Sequence, residues 1–231
     1  MRGWGLNEWV AVASALIAIA SFVFNWIVVR RQTALQTEAL KAQMDSDVMA
    51  WGSECIQAFT RAAWLSKSYG KMSAEDFERH RTVTLSEISG LADKGRLFFP
   101  NNLRKGGRGD GVSRAFRGGR PFVLNPLVFC CHALEQMKPE DEEDAGEVQF
   151  FVDCRREFVS ELQHYLDPRR RQEELRRLGL ASSQSKEESF ADSLKLAVAL
   201  ESLYPGVLKQ NGDEGWARNV TRAQSGERRK A

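Results

Sequence analysis

Twenty-one consecutive residues from Trp9 to Val29, WVAVASALIAIASFVFNWIVV, carry no charge, and no other feature constrains the chain as strongly. Wound as an α-helix at ~1.5 Å per residue, such a run extends roughly 30 Å, the thickness of a bilayer's hydrocarbon core. It predicts a transmembrane helix over 9–29 behind a short extracytoplasmic segment, 1–8. Trp9 and Trp26 stand near the two ends, where indole rings favour the headgroup boundary. A cleaved signal peptide fits poorly, because Arg2 is the only preceding basic side chain and Arg30-Arg31 follows in place of a small-residue cleavage site. Arg30, Arg31 and Lys41 behind the run, against Arg2 before it, put the C-terminal part in the cytoplasm. Free cysteines suit the same reducing compartment.

Ala11, Ser14, Ala15, Ala18, Ser21 and Asn25 lie on one face of the run at helical spacing, which lets a second helix approach closely. They are the candidate membrane oligomerisation residues. The competing reading is that alanine is a common membrane residue and that Asn25 reaches headgroups from near the helix end.

After Arg31 the stretch QTALQTEALKAQ has neither Gly nor Pro, so the helix is expected to continue into water. Met44, Val48, Trp51, Cys55, Ala58, Ala62 and Leu65 then recur at steps of four and three, the seam of a packed or coiled-coil helix. Gly52 weakens that helix locally by roughly 1 kcal/mol. Ser73 with Asp76 resembles a capping box, opening a second helix with Phe77, Val83 or Thr84, Ile88 and Leu91 inside. Leu97-Phe98-Phe99 before Pro100 is expected to plug the core. Asn125-Pro126 is expected to cap a third helix, and a fourth from about Gly146 turns Phe151, Cys154, Phe158, Leu162 and Tyr165 inward. RRRQEELRRLGL, starting at Arg169, reads as a short charged helix, and a last one covers about Lys186 to Tyr204 before Pro205-Gly206. The fold class predicted is all-α: one N-terminal transmembrane helix continuous with a cytoplasmic helical domain of about five helices, 30–209, and a disordered basic tail, 210–231.

The remaining composition excludes more than it identifies. With 33 Lys plus Arg against 31 Asp plus Glu, the net charge of +2 argues against an extended polyanion as partner. The 42% apolar share supports one ordinary domain. Four cysteines, at 55, 130, 131 and 154, lack metal-ligand spacing and are too sparse for a disulfide framework, so neither metal nor cofactor is expected.

Charge is concentrated in the loop 101–121, NNLRKGGRGDGVSRAFRGGRP, which holds six glycines, five arginines and a lysine against Asp110 alone. Arg104, Lys105, Arg108, Arg114, Arg117 and Arg120 are the anion-binding candidates, since guanidinium groups and glycine-freed N–H groups suit phosphate. The loop lacks Walker spacing and a strand-to-helix context. Two plainer readings stand beside it, pairing with the acidic connector Glu140–Glu147 and attraction to anionic lipid headgroups. Nucleic acid is disfavoured as a partner, because Phe116 and Phe122 are the only aromatic residues the loop offers for stacking. His80, His132 and His164 fall on three different helices, and no nucleophile motif accompanies them.

GRLFFPN at Gly95 to Asn101 and FRGGRPFVLNPLV at Phe116 to Val128, behind a membrane-type helix, resemble an uncharacterised group of small bacterial single-pass membrane-anchored proteins. The resemblance covers roughly residues 9 to 135. It implies the same layout and a bacterial inner-membrane location, and it transfers no catalytic residue. The expected function is a non-enzymatic membrane-anchored interaction or sensor module. Its partners would be the lipid bilayer, further copies of the chain, and a protein or a small anionic ligand. The alternative is a ligand-triggered membrane effector or pore component of a bacterial stress or defence system. A hydrolase or transferase would have to rest on Arg104, Arg114, Arg117 and Arg120 as phosphate clamps.

Overall fold

The uncharged run and everything as far as Ser66 form one helix, α1 (Leu6–Ser66). The structure is a computed structural model that describes residues 6–68, 71–101, 118–139, 144–167 and 183–225, without the side chains of 6–13, 15, 16, 34 and 183–186. Five further α-helices and one short turn of helix follow: α2 (Ala74–Phe98), α3 (Asn125–Gln136), α4 (Ala145–Leu166), α5 (Ser183–Leu203), the turn α6 (Val207–Gln210) and α7 (Glu214–Gln224). A 3₁₀ turn, Phe122–Leu124, precedes α3. The described residues contain no strand, so the all-α class holds.

The single transmembrane helix expected at 9–29 is corrected by the structure. Among the described residues no helix is long and apolar enough to cross a membrane. The apolar stretch whose side chains are described runs from Ile17 to Val29 and is closed by Arg30-Arg31. The orientation and location deduced from a span lose their premise with it.

Residues 1–48 and 49–231 form two compact units. In the first, α1 presents Ile17, Ile19, Phe22, Phe24, Trp26 and Val29 to solvent, and Arg30 lies 4.1 Å from the centre of the Trp26 ring. In the second, the last turns of α1 form the centre of the core. Trp51, Cys55, Ala58, Phe59, Ala62 and Leu65 are buried, as their spacing predicts. Trp51 Nε1 donates to the Leu91 carbonyl on α2 at 2.9 Å, and its ring packs on Phe98, Phe99 and Phe158 at 5.3–5.9 Å.

Two glycines make that packing possible. A methyl group on Gly52 would come within 2.4 Å of Leu162 Cδ2, and one on Gly95 within 2.6 Å of both Trp51 Cζ2 and Leu124 Cδ2. Gly52 is therefore the place where α4 seats Leu162 on α1, whatever it costs in helix propensity.

Local chemistry sets the other helix ends. Ser73 caps α2, its Oγ accepting from Asp76 N at 3.1 Å, and Pro100 ends it by forcing Phe99 out of helical conformation. On this helix Thr84 is buried and Val83 exposed, and of the expected plug only Phe99 is buried, Leu97 being 83% exposed. Arg81 on α2 donates to the carbonyls of Leu134 and Glu135, capping the last turn of α3 from outside. Asp144 caps α4 through Gly146 N at 2.7 Å; Tyr165, expected inside, is exposed. Buried Glu147 accepts from Ser66 Oγ at 3.2 Å and from the Tyr204 hydroxyl, joining α1, α4 and the end of α5.

The tail expected to be disordered from 210 is helical as far as Gln224. Gly206, at φ 88°, turns the chain after α5, and Glu201 accepts from Gly206 N at 2.5 Å and Leu208 N at 3.4 Å. That turn buries Val207 and Leu208 and returns α7 to the body, with Val220 buried and Trp216 against Phe129 and Phe190. The charged helix expected from Arg169 lies outside the described residues.

Gly95→Ala should destabilise the chain by about 1–3 kcal/mol through overpacking against the Trp51 ring, although Ala is the better helix former. Gly90→Ala, where nothing lies within 4 Å, should stabilise by up to about 1 kcal/mol. Urea unfolding of both variants checks the pair.

Candidate functional site

Of the six loop cations singled out, only Arg120 lies among the described residues; Arg104, Lys105, Arg108, Arg114 and Arg117 lie outside them. Arg120 stands just before the 3₁₀ turn and is mostly covered. Its Nη2 donates to Asp213 Oδ2 at 2.9 Å and its Nε to Asn125 Oδ1 at 2.9 Å. Asn125 is not the cap its sequence position suggests. It lies inside the first turn of α3, 1% exposed, and its Nδ2 donates to buried Ser193 Oγ on α5 at 3.2 Å.

Asp213 has a second partner, His132 Nε2 on α3, at 3.1 Å. On the far side of the ring Asn211 Nδ2 lies 2.7 Å from His132 Nδ1 and also donates to Glu135 Oε2 at 2.9 Å. Glu135 Oε2 itself lies 3.7 Å from Nδ1, so the ring stands between Asp213 on one side and Asn211 with Glu135 on the other. Arg120, Asp213, His132, Asn211 and Glu135 thus form one continuous polar chain between α3 and the α6–α7 turn. Burial pushes the Asp213 carboxyl up, but the His132 hydrogen bond and the Arg120 charge outweigh it and hold the group below the ordinary carboxylate range.

The arrangement resembles an acid–base pair in composition and differs from one in geometry. A histidine oriented by a carboxylate at one nitrogen activates a hydroxyl or thiol at the other. Here that second position is occupied by the Asn211 amide, 2.7 Å from Nδ1. Arg120 is likewise already matched by Asp213, so an incoming anion would have to displace a carboxylate.

The remaining candidates stay apart. His80 packs edge-on against Trp64 with ring centres 5.8 Å apart, and His164 lies on α4. Cys55, Cys130 and Cys154 are buried, burial pushing each thiol up, and Cys131 is held at about 12 by the same cause and by Glu135. These thiols are packed as small apolar groups. Among the described residues no group of His, Cys, Asp and Glu could hold a metal ion. Ser14, Ala18, Ser21 and Asn25 are exposed on α1, whereas the side chains of Ala11 and Ala15 lie outside the description.

Sequence reading missed a second polar feature, an acidic groove of about 300 Å³ between the end of α4 and the start of α5. Glu161, His164, Asp167, Glu188 and Asp192 line it. Beside it, Glu157 is pushed up to about 7 by burial and by the charges of Asp192 and Glu161. No family model, no curated protein and no solved structure matches this chain.

Asp213→Asn should cost about 2–3 kcal/mol at pH 7, the range of a charge-assisted hydrogen bond left without its charge. A depressed carboxyl stabilises above its unfolded value, so the difference from the natural chain should shrink as pH falls below about 4. Glu157→Gln has the opposite sign. A raised carboxyl costs stability once ionised, so this variant should gain roughly 1 kcal/mol at pH 8, after discounting for solvent screening, and little at pH 4. Denaturant unfolding at three pH values reads both.

Proposed function

We propose that this chain is a non-enzymatic interaction module whose binding element is the apolar segment of α1, with the helical body 49–225 as the part it presents. One observation carries the reading: between Ile17 and Val29 eight large apolar side chains are 43–73% exposed over all but the face of Ala18, Ser21 and Asn25. Residues of this size offer roughly 150–250 Å² each, so the segment leaves on the order of 1,000 Å² of apolar surface in water. Monomeric chains seldom expose contiguous patches above a few hundred Å². Covering even a third of this segment is worth about 8 kcal/mol before association costs.

The polar chain around Asp213 fits the same reading. Its donors and acceptors are spent on one another, which makes a rigid body rather than a reacting centre. Rigidity is what a presented domain requires.

The test replaces Ile19, Phe22, Phe24 and Ile27 together by Gln in the full chain. The natural chain should run in complexes heavier than its own 26.1 kDa, and the quadruple variant at 26.1 kDa with the unfolding of its body unchanged. A natural chain that already runs as a 26.1 kDa monomer in detergent-free buffer would overturn the reading.

A further inference from the structure

The groove between the end of α4 and the start of α5 brings the carboxylates of two helices together around about 300 Å³. Both helix ends meet there, and farther along Asp192 on α5 faces Glu157 and Glu161 on α4, so the helices run antiparallel. Each helix repeats its charge after one turn. Glu157 and Glu161 are four residues apart on α4, as are Glu188 and Asp192 on α5, which puts the members of each pair roughly 5–6 Å apart at Cβ. Asp167 extends the negative wall at the end of α4. Lys195 Nζ, 2.6 Å from Asp192 Oδ1, offsets one of these charges and is itself exposed.

A row of carboxylates by itself is a solvated surface. Two buried polar groups set this one apart. Ser189, 7% exposed, forms part of the groove wall, and its hydroxyl has no hydrogen-bond partner among the described residues. Glu157 Oε1, next to Asp192 and Glu161, is buried and equally without a partner among them. Buried polar groups are normally hydrogen-bonded, so an unpaired hydroxyl and an unpaired carboxylate oxygen beside one polar groove point to a guest that donates hydrogen bonds. The carboxylates are strung along two helices and, among the described residues, do not converge as the ligands of a metal ion. An elongated cation fits their spacing.

We propose that this groove binds a small linear diammonium compound, one ammonium held between Glu161 and Asp192 with Glu157 behind them, the other between Glu188 and Asp167. Four methylenes between the two nitrogens bridge one helical turn. The Ser189 hydroxyl lies on the wall between the two charged ends and accepts from an ammonium N–H. Burial and the charges of Asp192 and Glu161 hold the Glu157 carboxyl at about 7, with Lys195 acting the other way. An ammonium brought to these carboxylates lowers it, so binding expels a proton and strengthens as pH rises through 7. His164 on the same wall acts in the same direction, since its protonated ring repels the guest. The site is separate from the apolar segment of α1 and stands or falls independently of it.

Calorimetric titration of the full chain with 1,4-diaminobutane at fixed ionic strength tests the proposal. Binding is expected at pH 8, several-fold weaker at pH 6, with a heat that changes with the buffer because a proton is released. Glu188→Gln and Asp192→Asn, both at solvent-accessible positions, should each weaken it roughly tenfold, and Ser189→Ala about threefold. Glu187→Gln removes the same charge from the adjacent exposed position outside the groove and should leave binding unchanged. Butylamine, with a single ammonium, should bind at least tenfold more weakly than the diamine. Equal loss in Glu187→Gln and Glu188→Gln, or equal binding of butylamine, would reduce the effect to general attraction by an acidic surface and overturn the proposal. So would the absence of binding at millimolar diamine, the result expected if Arg169, Arg170 and Arg171, which follow Asp167 closely in the chain, already satisfy the groove.

Discussion

The body of this protein depends on the burial of one indole. Trp51 sits fully enclosed where α1, α2 and α4 meet, and its ring N–H has to find an acceptor because water cannot reach it. The Leu91 carbonyl supplies that acceptor, which fixes the height of α2 against α1 to within a hydrogen-bond length. Phe98, Phe99 and Phe158 then close on the ring, and Gly95 leaves the space that lets α2 come so near. Removing a buried aromatic ring of this kind typically costs 3–5 kcal/mol, a large fraction of the stability of a small domain.

Polar contacts divide the remaining work between specificity and closure. Arg120, Asp213, His132, Asn125 and Ser193 contribute little as net hydrogen-bond energy, yet each would be costly if left unpaired at such low exposure. The placement of α5 and α7 on α3 satisfies them together. Glu147 does the same for Ser66 and Tyr204. The body is thus held in register by polar groups that meet one another, with Asn211 at His132 Nδ1 and Asp213 at Nε2.

How much of this was legible depended on whether the signal was local. The seam from Trp51 to Leu65, the Ser73 cap, the inner face of α4 and the stop at Pro205-Gly206 are properties of residues three or four apart, and each is visible in the chain. Asn125 was misread because an Asn-Pro pair looks like a cap until a partner 68 residues away claims the amide. Helix α7 was passed over although Trp216, Val220 and Ala223 recur at helical spacing, since the charged residues between them masked the stripe. The run 9–29 was read as a membrane span on length and apolarity. Among the described residues, however, no helix is long and apolar enough to cross a membrane. Of the anion-binding candidates, Arg120 is the one that lies among the described residues, and its ion pair with Asp213 joins positions 93 residues apart.

Sequence alone determined that this chain is helical, where most of its helices begin and end, and that α1 carries an uncharged, largely apolar segment, because backbone propensity, capping and side-chain periodicity act over a few residues. Only the tertiary structure decided which polar groups meet. The polar chain through Asp213, the covering of Arg120 and the acidic groove between α4 and α5 are made by side chains that no spacing rule connects. Their energies come from burial and from distance in space, and neither exists until the helices have packed.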